Sequence, residues 1–86
     1  MFAVEWAEYA LDLLADIIVS LDLATQDRLA AAIEALNRRL AIDPLDKGES
    51  RNDPFRITFV DSLGVLFRVD AAKGLVQVAE VKWYGP

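Results

Sequence analysis

The stretch that decides the fold runs from Gly48 to Val81: GESRNDPFRITFVDSLGVLFRVDAAKGLVQVAEV. Its first part, Leu45 to Pro54, mixes Pro, Gly, Asp, Asn and Ser without period and reads as a surface loop. Phe55, Ile57 and Phe59 then alternate with Arg56, Thr58 and Val60, the two-residue period of a strand. Asp61-Ser62 is a short reversal, and Leu63 to Asp70 is a second strand. Ala71-Ala72-Lys73-Gly74 fits a type I turn closed by a glycine at positive φ. Leu75 to Trp83 is the last strand, with apolar residues falling on both faces, as in a sheet interior.

Working back towards the N-terminus, the period changes to that of helices. Leu29, Ile33, Leu36 and Leu40 step by four, three and four, a single apolar stripe. Thr25 is the expected N-cap of that helix, and Asp43-Pro44 its end. Arg38 and Arg39 stand in its last turns, where the helix dipole favours positive charge. Before it, Glu8, Asp12, Asp16 and Ser20 recur every four residues as one polar stripe. Tyr9, Ala10, Leu13, Leu14, Ile17, Ile18 and Leu21 cover most of the remaining circumference, so this first helix must be covered on more than one side. Phe2 to Trp6 alternates and is rich in β-formers, a first strand. The turn between the helices is too short for anything but an antiparallel hairpin. The order β-α-α-β-β-β over residues 1–86 suits one two-layer α+β domain, a helical hairpin on one face of an antiparallel four-stranded sheet.

Composition narrows the function classes. Eighty-six residues make one small domain whose core is modest, yet 55% of the residues are hydrophobic. That excess points to an apolar face reserved for a partner, Leu14 and Ile18 of the first helix being the candidates. There is no cysteine and no histidine, which removes thiolate metal sites, disulfides and the commonest general base. No cofactor and no metal are expected, and a reducing cytoplasm is the natural setting. The apolar window from Ala7 to Leu23 is cut by Glu8, Asp12, Asp16 and Asp22, so no membrane span is expected. Net charge is −5, which gives no long-range attraction to nucleic acid. Residues 1–27 hold six acids (Glu5, Glu8, Asp12, Asp16, Asp22, Asp27) and no base, whereas the rest of the chain holds eight acids against nine bases.

The order of elements, the Asp43-Pro44…Gly48…Arg51 loop, the strand LGVLFRVD, the early aromatic-rich strand with Trp6 and the strand VQVAEV together resemble the RelE/ParE superfamily of toxins from bacterial type II toxin–antitoxin pairs. The resemblance implies a first strand lying beside the last, and a cognate antitoxin that wraps the domain. The uncovered apolar side of the first helix predicts self-association when the antitoxin is absent. Two activities are implied as alternatives: cleavage of mRNA in the ribosomal A site by basic residues on the sheet, or poisoning of DNA gyrase. Carried over position by position, Arg56 matches a basic site residue, whereas Thr58 and Gly64 stand where further cations belong. Arg68 lies in a different register, and Lys82 and Tyr84 fall near a basic and a tyrosine position after the last strand. The missing cations favour gyrase or another target over mRNA cleavage. A fold retained only for binding is a further alternative.

The residues admit structural roles beside functional ones. In-line RNA cleavage needs a proton acceptor, a proton donor and positive charge, for which Arg56, Arg68, Tyr84, Lys82 and Glu80 are the candidates if they share one side of the sheet. Arg68 and Glu80 would equally form a cross-strand ion pair. Arg51 suits a phosphate or an antitoxin carboxylate, or a local pair with Glu49 or Asp53. Trp83 would stack on a base or pack against Trp6.

Overall fold

A computed structural model describes residues 1–46, 49–50 and 54–86. The elements follow the expected order: β1 (Ala3–Trp6), α1 (Glu8–Val19), α2 (Leu23–Ile42), a single 3-10 turn (Pro44–Asp46), β2 (Glu49–Ser50), β3 (Phe55–Val60), β4 (Leu63–Asp70) and β5 (Leu75–Trp83). The sheet order is β1-β5-β4-β3-β2. Four strands carry it, and β2 adds two residues at one edge, inside what the sequence presents as pure loop. The meander β3-β4-β5 is antiparallel, but β1 runs parallel to β5, which makes the sheet mixed. The reason is topological: the helical hairpin carries the chain across the sheet, and the two reversals of the meander bring β5 back pointing along β1.

The core lies between the sheet and the hairpin. Leu63, Val65 and Phe67 of β4, Val76 and Val78 of β5, and Ala10, Leu29, Leu36 and Leu40 of the helices are fully buried, with Val60 and Val81 nearly so. Leu13, Leu14, Ile17, Ile18 and Leu21 pack against this cluster from α1. Among the described residues no charged or polar side chain is buried.

The last strand gathers its apolar residues on the helix-covered face, Leu75 excepted, rather than spreading them over both. Leu63 to Leu66 pair with Trp83 to Glu80 in one register, but Phe67 then pairs with Val78. Ala79 is therefore the extra residue of a β-bulge. The spacing Val76, Val78, Val81 (two, then three) would put Val81 on the opposite face of a regular strand. The bulge restores all three to the helix-covered side.

The turn between the helices is held from both sides. Asp22, not Thr25, is the N-cap of α2: its carboxylate accepts the Thr25 backbone N–H at 3.0 Å. An aspartate reaches the third amide of the helix from outside it, so the helix begins two residues before Thr25. Gln26 Nε2 donates to the Ile18 carbonyl at 2.8 Å and to the Leu21 carbonyl at 3.0 Å, capping the end of α1. At the other end, the Phe2 N–H donates to the Ala41 carbonyl at 2.7 Å, and Trp6 Nε1 donates to Asn37 Oδ1 at 2.9 Å, tying β1 to α2. The β4–β5 turn is as expected, with Gly74 at φ +62° and its N–H donating to the Ala71 carbonyl at 3.2 Å.

Hydrogen bonding from Thr25, through its side chain first and its backbone amide second, holds the Asp22 carboxyl below the usual 3.8. A depressed folded pKa stabilises the protein above the unfolded value and loses that contribution as pH falls through the folded one. Asp22→Ala should therefore lower the urea midpoint at neutral pH, and the gap to the native chain should close as pH falls below 3.8 and through the folded value. Asp22→Asn should keep most of the cap. A gap of constant size down the pH series contradicts the assignment.

Candidate functional site

The register sorts every strand residue onto one of two faces. Opposite the helices, the open face carries Ala3 and Glu5 from β1, and Leu75, Gln77, Glu80 and Lys82 from β5. β4 contributes Gly64, Leu66, Arg68 and Asp70, and β3 contributes Phe55, Ile57 and Phe59. A cleft of about 280 Å³ opens there, lined by Ile57, Gly64, Leu66, Glu80, Val81, Lys82 and Tyr84. Its floor is apolar, and its rim holds one cation, one carboxylate and one phenol.

Gly64 is the pivot of the cleft. The chain leaves β5 and turns back, the Tyr84 N–H donating to the Ser62 carbonyl at 2.8 Å. That bond lays the Tyr84 ring over Gly64, where an added Cβ would come within 2.7 Å of Tyr84 Cε2 and 3.2 Å of Phe59 Cε1. Phe59 meets Tyr84 edge to face, with centroids 5.6 Å apart and planes at 63°. Lys82 Nζ stands 5.3 Å from the Tyr84 ring centroid, within cation–π range. Any side chain at position 64 must displace this aromatic pair. The cleft is thus an apolar floor beside an aromatic ring, with one cation and one carboxylate on its rim, able to hold a flat or apolar group from a partner.

The sequence-derived candidates separate. Lys82, Tyr84 and Glu80 meet at the cleft. Arg68 shares the open face but lies beside Gln77, its Nε donating to Gln77 Oε1 at 3.2 Å. The expected Arg68–Glu80 pair is absent, because the bulge sets Glu80 opposite Leu66 and shifts Gln77 opposite Arg68. Arg56 pairs with Phe67, on the helix-covered face, so the four charged residues do not share one side. Thr58 also faces the helices, opposite Val65. Arg51 lies outside the described residues. Trp83 does not meet Trp6: β1 ends opposite Val78, five residues earlier along β5. Instead Trp83 pairs with Leu63, and its Nε1 donates to the Pro86 carbonyl at 3.3 Å. Leu14 and Ile18 are half-buried against the core, and the freely exposed apolar residues of α1 are Leu11, Val19 and Tyr9.

Sequence reasoning missed the lining residues Ile57 and Leu66, and Phe59 against the edge of Tyr84. The alternation Phe55-Ile57-Phe59 was the available signal: once the helix-facing residues of β3 are known to be Arg56, Thr58 and Val60, the aromatic and aliphatic set must look outward. The charge of the open face is also set by register. Among the described residues its cations are Arg68 and Lys82, against Glu5, Asp70 and Glu80.

No protein-family model matches the chain, and no curated protein is similar to it in sequence. Solved structures are similar over nearly the whole length. The toxin–antitoxin complex RelBE2 from Mycobacterium tuberculosis aligns with a TM-score of 0.72 at 19% identity, covering 95% of this chain and 96% of that one. The chromosomal ParDE toxin–antitoxin system from P. aeruginosa gives 0.76 at 16%, covering 99% and 98%. The intact E. coli RelBE toxin–antitoxin complex gives 0.64 at 16%, covering 100% of each chain. At such identities the likeness is one of fold: two helices on a mostly antiparallel sheet with one parallel pair, the RelE/ParE toxin fold.

The Gly64–Tyr84 contact makes a double-mutant prediction. Gly64→Ala should destabilise the native chain but cost less in a Tyr84→Ala background, with a coupling of about 1 kcal/mol in urea unfolding. Additive effects would show that Tyr84 does not rest on Gly64.

Proposed function

We propose, from a fold shared end to end with structures of RelE- and ParE-type toxins, that this chain is the toxin of a type II toxin–antitoxin pair and is neutralised by a bound cognate antitoxin. The observation that carries the proposal is the two-way coverage. The likeness takes in 95–100% of this chain and 96–100% of the RelBE2, ParDE and RelBE chains. The apolar surface left exposed supports a protein partner, since Leu11, Val19, Leu23 and Phe59 all stand about half or more in solvent.

Within this reading the target is DNA gyrase or another component that is not cut RNA. The open face supports that choice. A phosphorane needs several cations gathered at one point. Here Lys82 is balanced by Glu80 two residues away on the same strand, and Arg68 is engaged by Gln77. Arg56 is turned to the other face, and position 64 has no room for an arginine while Tyr84 lies over it. The net charge of −5 further weakens any pull on RNA.

Induced expression in a heterologous bacterium tests the reading. Growth arrest is expected, with colony counts falling by an order of magnitude or more, and co-expression of the small protein encoded beside this chain should restore growth. Double-strand DNA breaks during arrest would support gyrase as the target. Unimpaired growth at verified expression contradicts a toxin role.

A further inference from the structure

The open face of the sheet is divided. On its β3 side it is apolar without interruption: Phe55, Ile57 and Phe59 follow one another at spacing two, and Leu66 of β4 stands beside Ile57. Phe59 is 55% exposed and Tyr84 56%, so an aromatic pair already packed edge to face still offers half its surface to solvent. An antiparallel sheet that keeps one face uncovered usually keeps it polar, and this one does not. Two register rows cross the surface. Lys82, Gly64 and Phe59 lie in one, with Tyr84 over Gly64, and Glu80, Leu66 and Ile57 lie in the next.

We infer that a second copy of this chain packs on this face, sheet on sheet, about a two-fold axis that runs across the strands midway between the two rows. Such an axis lays each row on the other row of the second copy. Lys82 then meets Glu80 of the second copy, Phe59 meets its Ile57, and Tyr84 meets its Leu66, each contact being made twice, as a two-fold interface requires. Arg68, Gln77 and Asp70 lie beyond the two rows along the strands, so the charges that β3, β4 and β5 bring to the overlap are Lys82 and Glu80, and both are matched. Repulsion favours the same face. The chain carries a net −5, and residues 1–27 hold six acids and no base, so copies meet with least repulsion where acids and cations are nearly balanced.

The size of the contact sets its strength. Facing sheets stack about 10 Å apart with their strands within about 30° of each other. Four strands spaced at about 4.8 Å, overlapping over about six residues, make on the order of 400 Å² per copy before side-chain relief, or about 800 Å² in all. That suits a weak, reversible dimer rather than an obligate one. The dimer closes the cleft at Gly64, so a ligand of the cleft meets the monomer. It stands whether or not the chain is a toxin.

Sedimentation equilibrium of the full chain tests the inference, with circular dichroism confirming that each variant folds. The native chain should pass from monomer to dimer between about 1 µM and about 1 mM. Glu80→Lys alone and Lys82→Glu alone each set like charges against each other, and each should weaken self-association at least about tenfold. Mixed one to one, these two variants should pair with each other as tightly as the native chain pairs with itself, because every charge contact across the axis is again of opposite sign. Both substitutions in one chain should likewise restore the dimer. Phe59→Ser should weaken it, and Leu11→Glu with Val19→Glu on α1 should leave it unchanged. A native chain still monomeric at about 1 mM, single charge variants that dimerise like the native chain, or a mixture that fails to pair overturns the inference. So does a dimer that Leu11→Glu with Val19→Glu dissociates and Phe59→Ser does not.

Discussion

Much of the molecule depends on the pairing of β4 with β5 and on the one residue in it that does not pair. β4 is central, and its core side, Leu63, Val65 and Phe67, is wholly buried under the helices. For β5 to match it, Val76, Val78 and Val81 must all turn the same way, although their spacing is uneven. Ala79 takes up the difference as a bulge between the Leu66–Glu80 and Phe67–Val78 pairs. Without it, the alternation would turn either Val81 or the Val76–Val78 pair into solvent, since a one-residue slip exchanges the faces of everything beyond it. The same bulge fixes the open face. It sends Glu80 and Lys82 outward beside Gly64, and it brings Gln77 rather than Glu80 to Arg68.

The open face follows from that constraint together with the return of the chain after β5. Tyr84 is anchored to Ser62 through its backbone and covers Gly64, with Phe59 against its edge and Lys82 over its ring. The resemblance implies a cation at position 64, and here that position is the seat of an aromatic ring. The surface has become apolar in the middle and nearly balanced in charge around it.

How much of this was legible in the sequence depends on whether the signal was local. Strand limits at Phe55–Val60, Leu63–Asp70 and Leu75–Trp83 match the alternation residue for residue, because turns at Asp61-Ser62 and Lys73-Gly74 are strong local signals. The end of α2 before Pro44 was readable for the same reason. Register was not. The face of Arg56 depends on its pairing with Phe67, and the partner of Arg68 depends on the bulge, neither of which local spacing dictates. The separation of Trp83 from Trp6 likewise depends on how far β1 reaches along β5. Asp22 and Thr25 both suit the N-cap by residue type, and only the geometry of the turn, clamped by Gln26, selects the aspartate. On α1, the sequence indicated an apolar excess but not which residues the sheet would leave uncovered. Leu14 and Ile18 went mostly inward; Leu11 and Val19 stayed out.

Within the proposed function, this chain acts without the gathered cations that RNA cleavage needs. Mapping of RNA 5′ ends in cells arrested by induced expression tests this most directly. Transcript ends indistinguishable from those of uninduced cells arrested by other means are expected. New ends phased with the ribosome on translated codons, and lost in Lys82→Ala and Tyr84→Ala variants, would contradict it and return the Gly64 cleft to ribonuclease chemistry.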